Sequence, residues 1–269
     1  MKKLTDREIR EIQLRILSET DRFCRARKIP YTVYAGSLIG AVLHKGFIPW
    51  DDDIDIAMLR SDYERFIREY TRWTEAAYSV DCIENNSPNA LLFAKICDHN
   101  TIMREEKCGT CDMHVAVDLF PLDNSNMNCI QSFRARVMRF LLNFVCHAKC
   151  YSIFPCDKAI KIPWRLFRKL VTFFIPRITA LRFWQNMAIR LCPAEEATHV
   201  TEWCDSYALG KSFHRKEIFS DYIDLPFETL TVRAVREYDE VLKRTYPNYL
   251  HYTPSADDLN KHGLCAYRK

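Results

Sequence analysis

Apolar side chains recur at helical spacing from the start of the chain. Ile9, Ile12, Ile16 and Phe23 form one stripe, and the spacing predicts a helix over residues 5–27. Thr5 and Glu8 make a T-x-x-E capping box at its start, Leu4 and Ile9 a hydrophobic staple, and Pro30 stops it. The period then shortens. Residues 31–35, YTVYA, predict a short buried strand ending at Gly36-Ser37, where SLIGAVLH opens a short helix. Phe47 to Trp50 is a turn, and residues 53–58 predict a strand with alternating faces. A second capping box, Ser61 with Glu64, predicts a helix to about Trp73. Strands are predicted over 78–83 and 91–97, around an Asn/Pro-rich loop, and over 114–123, closed by Pro121. The pattern is then helical to about residue 192, with breaks at Pro155, Pro163 and Pro176. Residues 195–269 predict short helices separated by Pro226, Pro247 and Pro254.

Composition adds limits. With 269 residues, 48% hydrophobic and 28% charged, the chain is long and apolar enough for a sizeable core and reads as a globular protein. It has only six glycines and neither G-x-G-x-x-G nor a P-loop, which argues against a dinucleotide fold. Residues 1–27 are charged throughout and no run of about 18 apolar residues occurs, so neither a signal peptide nor a membrane-spanning helix is expected. Twelve cysteines without an export signal are expected as thiols in a reducing cytosol. The net charge of +4 is unevenly spread: Phe133 to Cys192 holds twelve Lys/Arg against one acid, about +11, leaving about −7 elsewhere.

The chemistry concentrates in GFIPWDDDIDIAM, residues 46–58. Alternate strand residues share a face, so Asp51, Asp53 and Asp55 fall together if the strand begins that early, with Ile54 and Ile56 turned to a core. Charge runs are usually solvated turns, but a solvated turn has no need of that alternation. Carboxylates converging on one face call for a cation, and hard oxygens suit Mg²⁺, or Mn²⁺. A calcium loop would want glycine and further oxygens where Ile54 and Ile56 stand. Asp118 is alone in an apolar run, V-A-V-D-L-F, and needs either a buried ion pair or a metal; we prefer a third metal-site carboxylate, able to take a hydroxyl proton. Gly36-Ser37, at a strand-to-helix turn, offers a phosphate cradle.

YAGSLIGAVLHKGFIPWDDDIDIAMLRSDYERF resembles the signature of the LicD family, in the nucleotidyltransferase-fold superfamily. VDLFPLD resembles its second block, and LPFETL, YDEVLKRTYPNYL and Lys261-His262 its looser third. The resemblance implies a nucleotidyltransferase-like α/β (α+β) fold: a mixed sheet flanked by helices, with a helical insertion and a helical C-terminal part. The expected division is a catalytic core at 1–124, a basic, aromatic-rich helical insertion at 125–195, and a helical part at 196–269 that completes the site. It further implies Mg²⁺-dependent transfer of phosphocholine, or a related phospho-alcohol, from a CDP-activated donor to a sugar hydroxyl of a cell-surface glycan or glycolipid. Asp53, Asp55 and Asp118 are then the metal and catalytic residues. Gly36 and Ser37 hold a phosphate, and Lys95, His44, Lys45 and Glu228 are further donor contacts. Leu43 stands where family sequences usually have arginine.

Two alternatives stay open: a true nucleotidyltransferase passing NMP from an NTP, and a non-catalytic, membrane-associated glycan-assembly factor. Zinc is not expected at Cys108-Gly-Thr-Cys111, which lacks a second C-x-x-C. The basic middle reads either as an ordinary helical bundle or as a peripheral contact with anionic membrane through 133–192, at the inner face of a cytoplasmic membrane. Nucleic acid is not an expected partner, since no recognition module accompanies the charge.

Overall fold

A computed structural model describes residues 1–73, 75–105, 113–150, 162–204, 212–251 and 264–269. After a short edge strand β1 (Lys2–Lys3) comes α1 (Asp6–Arg27). Both bonds of the Thr5/Glu8 capping box form: Glu8 N–H donates to Thr5 Oγ1 at 3.2 Å and Thr5 N–H to Glu8 Oε2 at 2.9 Å. Then follow β2 (Thr32–Val33), α2 (Ala35–Ile39) running into a π turn (Gly40–His44), β3 (Asp55–Leu59), α3 (Arg60–Tyr70), β4 (Ser79–Asp81), β5 (Ala94–Glu105) and β6 (Met113–Ser125). The middle is helical: α4 (Met127–Gln131), α5 (Phe133–Leu141) continuing through a second π turn into α6 (His147–Cys150), α7 (Ile162–Val171) and α8 (Arg177–Ile189). The rest holds β7 (His199–Thr201), β8 (His214–Arg215), β9 (Tyr222–Phe227), β10 (Leu230–Val235), α9 (Tyr238–Thr245) and β11 (Leu264–Arg268).

The main sheet runs β1-β11-β5-β6-β3-β2, with β4 added on β5, β7 on β6 and β8 on β7. The β3–β6 pair is parallel and its neighbours are antiparallel, so the sheet is mixed and the fold is α+β. Ile56 lies opposite Leu119 and Ile96 opposite Val117; all four are fully buried and join a core with Ile12, Ile16 and Phe23 of α1 and Phe66 of α3. A second cluster ties α5 and α8 to Ile83, Leu92 and Trp203. No helix among the described residues is long and apolar enough to cross a membrane, and no disulfide joins the described cysteines.

Four local expectations need correction. First, β3 begins at Asp55, not at 53, because α1 grips the preceding backbone: Arg10 donates to the carbonyls of Pro49 and Asp51 (3.1 and 2.7 Å) and Gln13 to that of Asp52 (2.8 Å). Second, the Ser61/Glu64 box does not form. The helix starts at Arg60, whose guanidinium makes a buried bidentate pair with Asp123 at 2.7 and 3.0 Å. Third, β6 continues through Pro121. Its last pair with β5 is Leu119 opposite Ala94, so the missing proline N–H lies beyond that ladder. Fourth, the described residues of the C-terminal part hold more strand than helix. Pro226 sits inside the two-stranded β9–β10 ribbon, where a proline is tolerated because neither strand is central in a sheet. The alternation of buried Phe227, Val232, Ala234 and Val235 with polar residues, rather than the prolines, set that structure.

Candidate active site

Register builds the site. On β6, Asp118 lies opposite Lys95 of β5 on one side and Asp55 of β3 on the other. Directly opposed residues point to the same face of a sheet, so three separate stretches of sequence deliver Lys95, Asp118 and Asp55 as one row. Asp81 of β4 extends the row beyond Lys95, and Tyr34, whose N–H donates to the Asp55 carbonyl at 2.9 Å, closes it at the other end. Lys95 Nζ donates to both oxygens of Asp118, at 2.6 and 2.7 Å. Burial works against the Lys95 ammonium, but the Asp118 carboxylate outweighs it and raises its pKa.

Asp53 precedes the strand yet joins the same group. Burial first, then the charges of Asp51 and Asp118, push its pKa well above the carboxylate range. Burial likewise pushes Asp55 well up, reinforced by Asp53, Asp118 and Asp51. Asp51 is raised by burial and held back by a hydrogen bond with Asp53. Like charges this crowded cannot all ionise without positive charge between them, and the donors are hard carboxylate oxygens. Oxygens of this kind are the ligand type that Mg²⁺ and Mn²⁺ take. Asp51, Asp52 and Asp53 each offer an oxygen within 4.8 Å of the others, so Asp51 and Asp52 belong to the acidic group as well.

The Gly36-Ser37 turn abuts these carboxylates. Ser37 is buried, and its Oγ accepts the Asp55 N–H at 2.9 Å, which fixes the first residue of β3. A Cβ on Gly36 would lie 2.6 Å from Asp51 Oδ2, so only glycine lets the carboxylate approach this backbone. Ala35, just before it, carries a positive φ of 45°. His44 and Lys45 are exposed at the far end of the π turn, the His44 ring 6.4 Å from Trp50. Glu228 is not with the aspartates. From the β9–β10 turn its Oε1 accepts the Phe47 N–H at 3.1 Å and its own N–H donates to the Lys45 carbonyl at 2.7 Å, which pins the turn before the acidic stretch. Lys261, His262, Cys108 and Cys111 lie outside the described residues.

Three further residues contribute: Glu202, Arg10 and Gln13. Glu202, buried just after β7, faces the group closely enough to raise Asp55 and Tyr34, and accepts the Cys204 thiol at 3.3 Å. Its signal was present: V-T-E-W puts one acid in an apolar run, as V-A-V-D does. Arg10 and Gln13 hold the backbone of the acidic stretch from α1, and buried Gln13 interrupts an apolar stripe.

Residues 28–140 match the family described as LicD/FKTN/FKRP, nucleotidyltransferase domain. Over 272 aligned residues, 99% of both chains, the sequence is 29% identical to the lipopolysaccharide cholinephosphotransferase LicD of Haemophilus influenzae. Residues 28–140 thus carry a LicD-family domain. Shorter similarities link the chain to uncharacterized proteins of two Rickettsia species. One, from R. typhi, is 26% identical over 40% of this chain and 33% of its own length; the other, from R. prowazekii, is 31% identical over 24% of each. The LicD-matched stretch holds Gly36, Ser37, Asp53, Asp55, Lys95 and Asp118, whereas Glu202 and Glu228 come from beyond it.

Proposed function

We propose that this chain, a transferase of the LicD type, moves phosphocholine or a related phospho-alcohol from a CDP-activated donor to a sugar hydroxyl of a cell-surface glycan. The observation that carries the reading is the in-register row Lys95–Asp118–Asp55 with Asp53 beside it, in a chain similar over its whole length to a lipopolysaccharide cholinephosphotransferase. Asp53, Asp55 and Asp118 would hold Mg²⁺, and a divalent ion there would offset the charge of the donor's diphosphate. Ser37 keeps Asp55 in place through its N–H, and Gly36 leaves room for Asp51. Lys95 orients Asp118 and adds positive charge beside it. Asp118 takes the proton of the acceptor hydroxyl. The acceptor oxygen bonds to the phosphorus of the transferred group, the bond from that phosphorus to the CMP oxygen breaks, and CMP leaves.

The basic, apolar middle supports an acceptor presented at a membrane surface. Trp164, Leu166, Phe167 and Leu170 of α7 are exposed, as are Phe173 and Phe174 after it, among Arg165, Arg168 and Lys169. Apolar side chains at a lipid boundary with cations toward anionic headgroups is the chemistry of a peripheral contact. On this reading, flotation with liposomes requires anionic lipid, and flotation indifferent to lipid charge would contradict it.

The enzymatic test is incubation with CDP-choline, Mg²⁺ and lipopolysaccharide. CMP release with phosphocholine appearing on the glycan supports the reading. Pyrophosphate released from an NTP instead would assign the site to NMP transfer. Undiminished cellular function of Asp53→Ala and Asp55→Ala would leave a non-catalytic role.

A further inference from the structure

Farther along β5 and β6 from Lys95 and Asp118, and on neighbouring β4, the sheet gathers a second set of metal-ligating side chains that the transfer reaction does not use. Asp81 of β4, His99 of β5 and His114 of β6 each place one ligand atom within 4.8 Å of the others. Adjacent strands supply them for a structural reason. The β5–β6 ladder loses its regular register between Asp98 and Met103, and His99 lies in that irregular stretch. There its ring stacks on His114, centroids 4.3 Å apart and planes 25° off parallel, with Nε2 3.9 Å from Asp81 Oδ1. Bulges of this kind re-aim side chains.

The surroundings orient these groups as ligand shells are oriented. His114 Nδ1 lies 2.6 Å from the Thr101 carbonyl, which can only accept, so Nδ1 carries the proton and Nε2 keeps the lone pair. Thr101 is fully buried and is itself fixed, its Oγ1 donating to the Asp98 carbonyl and accepting the Val115 N–H at 2.6 and 2.9 Å. Asp81 is buried. Its Oδ1 accepts the Ser87 hydroxyl at 2.7 Å and its Oδ2 the Cys97 thiol at 3.6 Å. His99 is half exposed, which leaves a path from solvent.

We propose that Asp81, His99 and His114 form a site for a borderline divalent transition ion, zinc being the ion of choice, separate from the aspartate cluster. Two imidazoles and one carboxylate suit Zn²⁺ and disfavour Mg²⁺, which prefers all-oxygen ligation. Three protein ligands leave a fourth position to water. An ion held there ties β4, β5 and β6 together at the strand pair that positions Lys95, through the opposed residues Asp81 and Lys95.

The test uses the full chain stripped with a chelator, with Cys108→Ser and Cys111→Ser to remove that thiol pair. Zn²⁺ is titrated calorimetrically, and Co²⁺ serves as a visible reporter of ligand type. One equivalent of Zn²⁺ is expected to bind with excess Mg²⁺ present, and Co²⁺ to give d–d absorption without a thiolate charge-transfer band. His99→Ala, on a half-exposed side chain, is expected to lower Zn²⁺ affinity about 100-fold or more, since loss of even a ligand's supporting hydrogen bond costs 10- to 100-fold. His114→Gln should act likewise, while Asp53→Ala should leave this equivalent unchanged. Wild-type affinity in His99→Ala, loss of the equivalent in Asp53→Ala, or a thiolate band would each overturn the proposal.

Discussion

Replacing Gly36 by alanine isolates one contact of the active site. The added Cβ would lie 2.6 Å from Asp51 Oδ2, and an ordinary contact of 3.4 Å or more requires the carboxylate to move by about 0.8 Å. The obstructing atom ends a flexible side chain, so the fold yields cheaply; alanine is also the better helix former, by up to about 1 kcal/mol. Stability should therefore not fall. Catalysis should, because Asp51 is hydrogen-bonded to Asp53, and a displacement near 1 Å costs on the order of 10- to 100-fold in rate, about 1.4–2.7 kcal/mol of barrier. The assay is CMP release from CDP-choline alongside thermal unfolding, for Gly36→Ala, Asp51→Ala and the double variant. If the steric account is right, alanine at 36 does nothing further once Asp51 is truncated, and the double variant matches Asp51→Ala. Additive losses, or full activity in Gly36→Ala, would refute it.

Further expectations follow from contacts elsewhere. Arg60→Met strands buried Asp123 without its bidentate partner and should cost about 3–5 kcal/mol in urea unfolding. His214 is buried with no hydrogen-bond partner among the described residues on either nitrogen, and burial, aided by Arg244, lowers its pKa to about 4 from 6.5. Its stability contribution is present in full above pH 6.5 and falls away toward pH 4, by about 3 kcal/mol at 1.36 kcal/mol per unit. Unfolding of His214→Asn should accordingly be less pH-dependent over that window, and an unchanged slope would contradict this. Glu228 sits at a φ of 54° with its carboxylate on the Phe47 N–H. Glu228→Ala should cost about 1 kcal/mol with the donor KM unchanged, and Glu228→Gly less, because glycine accepts that φ without strain. Trp164→Ser with Phe174→Ser should reduce liposome flotation without lowering the melting temperature, both side chains being exposed.

Much of this was legible in the sequence where local signals are strong. The Thr5/Glu8 box sets the start of α1, and the acids set among apolar residues in DIDI and VAVDLF mark β3 and β6 as strands. The mixed α+β fold and the LicD family follow from the same stretches. What was not legible depends on contacts far apart in the chain. The late start of β3 is imposed by Arg10 and Gln13 from α1, and the start of α3 coincides with the Arg60–Asp123 pair, 63 positions apart. Pro121 and Pro226 read as breakers because a sequence does not display which side of a strand lacks a partner. Glu202 escaped notice because β7 joins the sheet by pairing with β6 far upstream.

On the proposed reading, the aspartates serve the transfer of an intact phospho-alcohol. The most direct measurement is product analysis with CDP-choline, Mg²⁺ and lipopolysaccharide, comparing the native chain with Asp53→Ala, Asp55→Ala and Asp118→Ala. One CMP is expected per phosphocholine gained by the glycan, with loss of both products in all three variants while each remains folded. CMP-independent modification of the glycan, or transfer that persists without Asp53 and Asp55, would contradict it.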